Sequence, residues 1–354
     1  MSTGVILINF GEPAGLERRE VVAFLERIFH ANAALEEADN EAARRARSRQ
    51  LAERRAPGLI EEYRAIGGSP MNGQAEAQAR ALAAELGRAG HDVRVYCAFQ
   101  FTDPLVRAVV EDACADGVDA LVAIPVYPLC GPSTNVAGIG LVEDALAQLE
   151  WEVPFYGVTG WHRHPDYLEM RADTIRSFAA RRGVSLSDPE TLLVFSAHGT
   201  PIRYIEEGSR YVRYVEGFCA EVSARLGVGR YRLGYQNHSN RGIEWTAPDI
   251  EAVVRSAAPA RRVVVDPVSF MHEQSETLAE LDHDLREEAE DAGLEFHRVP
   301  VPHDDPRFAG ILASLVGAGP APPRGLAPCR CRTGGRAFCM NAPLPGGGAT
   351  GAAR

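Results

Sequence analysis

The feature that most constrains this chain is an alternation. Short apolar runs rich in Val, Ile and Leu are separated by longer stretches of helical periodicity, the pattern of a parallel sheet covered on both faces. Strands are expected at 5–10, 92–98, 120–125 and 154–158, with helices near 19–29, 73–87 and 104–115. A second series follows, with strands at 191–197, 230–236, 262–267 and 295–300 and helices near 211–226, 250–256 and 275–292. The order repeats, so the expected fold is α/β: two Rossmann-like doubly wound domains with parallel sheets. Ligands belong in the cleft where the carboxyl ends of the sheets face each other. With 354 residues, 45% of them hydrophobic, the chain can bury two ordinary cores. The expected division is 1–160, 161–317 and a cysteine-bearing tail, 318–354.

Two segments fall outside the alternation. Residues 31–55 are rich in Ala, Glu and Arg with few bulky apolar side chains, and read as an exposed helical lip. Beyond 317 the chain is rich in Pro and Gly, and 343–354 is low in complexity and expected to be disordered. A balance of 37 Lys and Arg against 48 Asp and Glu, net charge -11, argues against nucleic-acid binding through phosphate neutralisation. No basic leader precedes Val5–Ile8, and no run approaches the roughly 20 apolar residues of a spanning helix. The expectation is a cytoplasmic protein without stable membrane insertion.

Two motifs carry chemistry. In TLLVFSAHGTP, residues 191–201, a buried-strand run stops at His198, so its imidazole would project into the crevice, unless it has only a structural role. In FMHEQSETLAELDHD, residues 270–284, helical spacing puts Glu276, Glu280 and Asp284 on one face with His283 beside them. A solvated acidic face is the bland alternative. The helix directly follows the apolar strand at 263–267, however, so its first turn points into the same cleft as His198. A histidine and carboxylates facing across a cleft suit the loading of a divalent cation into a tetrapyrrole, which requires stripping water from the metal and removing two pyrrole protons.

From Val5 to about Leu315 the chain resembles the ferrochelatase family. The matching stretches, in order, are VILINFGEP, AERRAPGLIEEYRAIGGSP (52–70), FSAHGTP, YQNHSNRGIEWTAPDI (235–250) and VSFMHEQSETLAELD (268–282). The resemblance implies insertion of Fe2+ into a porphyrin, either protoporphyrin IX or coproporphyrin III. It makes His198 the catalytic histidine that helps abstract pyrrole protons, Glu276 the facing carboxylate at the metal, and Glu280 and Asp284 a continuing acidic file. Arg54 and Arg55 match a basic pair able to hold a propionate, and Met71 lies among the porphyrin contacts. The chain departs from the family pattern where Glu273 and Gln274 replace an Asp-His pair, with His272 adjacent, and in a loop at 66–70 that is one residue shorter. The lip arginines Arg44, Arg45, Arg47 and Arg49 could meet the four propionates of coproporphyrin III, or form salt bridges among themselves. A dimer is compatible with the resemblance. Other possible readings are a cobalt or nickel chelatase and a tetrapyrrole-binding or redox-sensing protein without insertion activity, the latter disfavoured by the presence of both His198 and Glu276.

Seven cysteines are an odd number, and Cys97, Cys114, Cys130 and Cys219 lack disulfide-scaffold spacing. Cys329, Cys331 and Cys339 crowd the tail and read as metal ligands. A branch of the family carries a [2Fe-2S] cluster there. The resemblance implies that these three ligate it and that Cys130, in VYPLCGPST, supplies the fourth thiolate. Structural zinc is the rival occupant, and a free tail the remaining alternative.

Overall fold

The alternation folds into two parallel sheets in the computed structural model, which describes residues 2–33, 40–238, 242–317, 321–331 and 336–340. The first half runs β1 (Thr3–Asn9), α1 (Arg18–Ala31), α2 (Glu41–Ala65), α3 (Met71–Arg88), β2 (Val93–Phe99), α4 (Val106–Ala115), β3 (Ala120–Pro125), α5 (Ala137–Gln148) and β4 (Phe155–Gly160). Its strands lie in the order β2-β1-β3-β4, all parallel. Every residue of β1 and β3 is buried, as expected where helices cover both faces.

The second half runs α6 (Pro165–Arg181), β5 (Thr191–His198), α7 (Ile202–Glu206), α8 (Tyr211–Leu226), β6 (Tyr231–Gln236), α9 (Ile250–Arg255), β7 (Arg262–Pro267), α10 (Leu285–Asp291), β8 (Glu295–Arg298) and α11 (Arg307–Ser314). These strands form a second parallel sheet, β6-β5-β7-β8. One continuous core joins the halves, with Leu7 and Ile124 of the first sheet in the same cluster as Leu193 and Phe195 of the second. Separate cores line the outer faces, around Val110 and Ile139 on one side and Val254 and Leu285 on the other.

Four departures from the sequence reading matter. The expected single helix at 275–292 is a π-helix, Glu276–Asp284, followed by α10. Helices α5, α6 and α11 were not expected. The lip is the first part of a longer helix: α2 begins at Glu41, where Asn40 Oδ1 accepts from the Ala43 amide at 2.9 Å, and runs to Ala65. Its second half packs Leu59, Ile60 and Tyr63 against α1, while 34–39 lie outside the described residues. Finally, the tail returns to the first half. Two further strands, β9 (Ala327–Pro328) and β10 (Ala337–Cys339), extend the first sheet, with β10 parallel to β4 (Ala337 opposite Gly157, Phe338 opposite Val158). The low-complexity end, 343–354, lies outside the described residues.

Candidate active site

Adjacent parallel strands β5 and β6 end together, with His198 opposite Gln236. Gly199 follows, its amide donating to the Gln236 carbonyl at 2.7 Å. A Cβ at Gly199 would lie 2.0 Å from Asn237 Oδ1 and 2.7 Å from that carbonyl, so only glycine lets the two chain segments approach this closely. The approach brings His198 and His238 together, Nε2 to Nε2 at 3.3 Å. The start of the π-helix after β7 adds Glu276, whose Oε1 lies 3.0 Å from His198 Nε2 and 3.4 Å from His238 Nε2.

The surroundings fix each group. His198 Nδ1 lies 2.5 Å from the Gly199 carbonyl, which makes Nδ1 the protonated nitrogen and turns Nε2 toward the cleft. Gln274 Nε2 donates to Glu276 Oε2 at 2.7 Å, holding the carboxylate so that Oε1 faces the histidines. Gln236 Nε2 donates to Glu280 Oε2 at 3.1 Å, one turn further along. Burial alone would lower the His198 imidazole, but the Glu276 charge and hydrogen bond reverse this and push it up to about 9. Burial would raise the Glu276 carboxyl, yet the facing His198 holds it well below the usual carboxylate range. Burial and the nearby Glu276 charge push Glu280 up to about 7.

These groups line a cleft of about 270 Å³, near the lower end of the roughly 300–1,000 Å³ usual for small-ligand pockets. One wall is apolar, built by Phe24, Leu25 and Ile28 of α1, Leu59 of α2, and Phe10 and Leu129 beyond the strands of the first sheet; the other carries His198, His238, Trp245 and Glu276. Such a slot suits a flat, largely apolar ring with reactive atoms at one face.

The expected site residues separate into two groups. His198, Glu276, Glu280 and Arg55 line the cleft, and Arg55 is paired with Glu62 at 2.9 Å. Arg54 is exposed and outside the lining, Met71 is fully buried in the shared core, and Asp284 is exposed beyond the end of the acidic file. Arg44, Arg45, Arg47 and Arg49 lie on the exposed face of α2, where Arg45 pairs with Glu41 and Arg49 with Glu26 and Glu53. His272 is buried away from the cleft against Gln78 of α3, and burial pushes its imidazole down to about 3. Two cleft residues were missed. His238 lay inside a quoted motif without being singled out. Glu12, just beyond β1, accepts hydrogen bonds from Tyr63 (3.0 Å), Ser69 and Ser275 and has no cation among these partners.

The tail cysteines meet the body at Cys130, between the cleft-lining Leu129 and Gly131. Cys130, Cys329 and Cys331 bring their sulfurs within 4.8 Å of one another, and the Cys339 thiol hydrogen-bonds Cys329. Hydrogen bonds from Cys130, Cys331 and Cys339 lower the Cys329 thiol. Four converging sulfurs without a disulfide fit the ligand set of a [2Fe-2S] cluster or of zinc.

The family model described as Ferrochelatase matches residues 2–319. A ferrochelatase of Synechococcus sp. (strain JA-3-3Ab) is 34% identical over 334 residues, covering 89% of this chain and 92% of that protein. A ferrochelatase of Picosynechococcus sp. is 33% identical over 333 residues, covering 88% and 81%. Among solved structures, SirB from Bacillus subtilis with Fe3+ shares the fold with a TM-score of 0.50 at 10% identity, covering 88% of this chain and 94% of that one.

Proposed function

Because the chain belongs to the ferrochelatase family and is an enzyme that inserts a metal ion into a porphyrin, we propose that His198 and Glu276 perform the insertion, with Glu280 behind them. The observation that carries this reading is the 3.0 Å contact between His198 Nε2 and Glu276 Oε1 on one wall of a slot whose facing wall is largely apolar. A porphyrin slides between that wall and the aromatic and aliphatic side chains of α1 and α2. Fe2+, the second substrate, exchanges water for Glu276 and the imidazole. Its charge expels the proton shared by His198 and Glu276 to solvent, and each of these ligands becomes a base for one pyrrole proton as it gives up the iron to a pyrrole nitrogen. Two pyrrole protons then leave as two nitrogen–iron bonds form, with Glu280, poised near neutrality, as the next acceptor along the helix.

Arg55 is the arginine of the lining among the described residues and the candidate partner for a propionate; protoporphyrin IX and coproporphyrin III are both substrates to be tested. Cys130, Cys329, Cys331 and Cys339 would hold a [2Fe-2S] cluster, which when bound supplies a one-electron redox couple; no step of insertion passes through it. We assign the protein to the cytoplasm. No described helix is long and apolar enough to cross a membrane. The division at 160 and 317 and a dimeric assembly belong to the same proposal.

The test is an anaerobic insertion assay with Fe2+ against the two porphyrins side by side. Glu276→Gln, which removes a base and ligand at constant volume, should lower kcat by about 100-fold or more while porphyrin affinity changes little. Near-normal turnover would remove Glu276 from the chemistry. Purified protein should be coloured, and the visible absorption should vanish in Cys329→Ser, Cys331→Ser or Cys339→Ser. A colourless protein with stoichiometric zinc would identify the rival metal.

A further inference from the structure

Three donor atoms on the cleft wall form a nearly equilateral triangle: His198 Nε2, His238 Nε2 and Glu276 Oε1, separated by 3.0, 3.3 and 3.4 Å. Ligands at right angles around a metal with bonds of ~2.1 Å stand about 3.0 Å apart, and tetrahedral ones about 3.4 Å. A cation equidistant from all three atoms at ~2.1 Å therefore sits about 1 Å off their plane. Two imidazoles and one carboxylate on one face, with the opposite positions open, form a donor set that selects Fe2+ and its first-row neighbours.

We propose that His238 is the third ligand of a preformed site that takes the divalent metal before the porphyrin is seated. The proposal rests on the reading of His198 and Glu276 as the insertion pair. Each ligand is held in a ligating orientation independently of a metal. The Gly199 carbonyl fixes the His198 tautomer, Gln274 turns Glu276 Oε1 inward, and Trp245 packs edge-on against the His238 ring at 5.5 Å. The side chains keep 35%, 34% and 21% of their surface open, enough for a hydrated ion to reach them from the cleft. The open coordination positions take water on arrival and pyrrole nitrogens at transfer. Asp284 has no part in this site; the ion is gathered at the wall and not along the whole acidic file.

The test uses Co2+, whose visible spectrum reports its donors, titrated anaerobically into the full-length protein as purified and without porphyrin. One equivalent should bind with no thiolate charge-transfer band, which separates this site from the cysteines. His238→Ala should weaken Co2+ binding at least about tenfold with porphyrin affinity, read by fluorescence quenching, within about twofold of wild type. His238→Asp, which puts a carboxylate donor in place of the imidazole, should recover part of the loss. If His238→Ala binds Co2+ as wild type does while His198→Ala and Glu276→Ala do not, His238 is no ligand and the insertion pair stands. If wild type takes up no Co2+ without porphyrin, the preformed site is overturned alone. If none of the three variants weakens binding, the reading of the insertion pair falls with it.

Discussion

Glu280 links the site to the stability of the fold. Its carboxyl is raised from the ordinary 4.5 to about 7, first by burial and then by the Glu276 charge. Between those values the folded protein holds a proton that the unfolded chain has released. Its contribution to stability is therefore full below about 4.5, fades as pH rises, and is gone above about 7. Glu280→Gln lacks this titration and should gain on wild type by about 1–3 kcal/mol between pH 5 and pH 8. Denaturant melts at the two pH values check this; a constant difference would mean that Glu280 stays ionised throughout. Arg55→Ala should raise KM for porphyrin several-fold, whereas replacing Arg44, Arg45 and Arg47 together should leave it unchanged for both porphyrins, because those guanidiniums lie outside the cleft lining. A larger effect of the triple variant on coproporphyrin III would return substrate reading to the lip. At this scale the sequence pointed to His198 because it stands where an apolar run stops, and to Glu276 because its helix follows another such run. His238 and Glu12 were hidden, since their roles depend on which strands are neighbours: His238 joins the site only because Gln236 lies opposite His198.

The elements depend on a few close approaches. Gly199→Ala would drive a methyl group into Asn237 and the Gln236 carbonyl, parting the ends of β5 and β6. It should cost about 1–3 kcal/mol in unfolding free energy and lower kcat as well, because His198 and His238 move apart together. Unchanged stability with lost turnover would point to a purely local effect on His198. Most strands were legible because fully buried parallel strands are written as unbroken Val, Ile and Leu runs. The π-helix was not legible. Its sequence has helical spacing like any other, and the wider i→i+5 bonding is selected by what packs around it. Along it, Glu276 and Glu280 line the cleft while Asp284 is exposed. Strands β9 and β10 were equally hidden, as runs of two and three residues amid Pro and Gly carry no periodicity to read.

Across the whole molecule, the tail is both an edge strand and, by the proposal above, a ligand set, and the two roles can be separated. Replacing Cys329, Cys331 and Cys339 together by Ser should remove bound metal but keep β10 paired with β4. Truncation after Gly317 should also bare the edge of β4, lowering the melting temperature further and promoting aggregation. Equal behaviour of the two proteins in melting and light-scattering measurements would mean that metal alone anchors the tail. The threading of the tail also bears on synthesis. The strand that covers β4 lies some 180 residues further along the chain, and a ribosome adding about 5–20 residues per second needs roughly 10–40 s to deliver it. For that interval the nascent first half carries an open sheet edge, and so a chaperone holding the emerging chain has a defined surface to shield until β10 emerges and closes it.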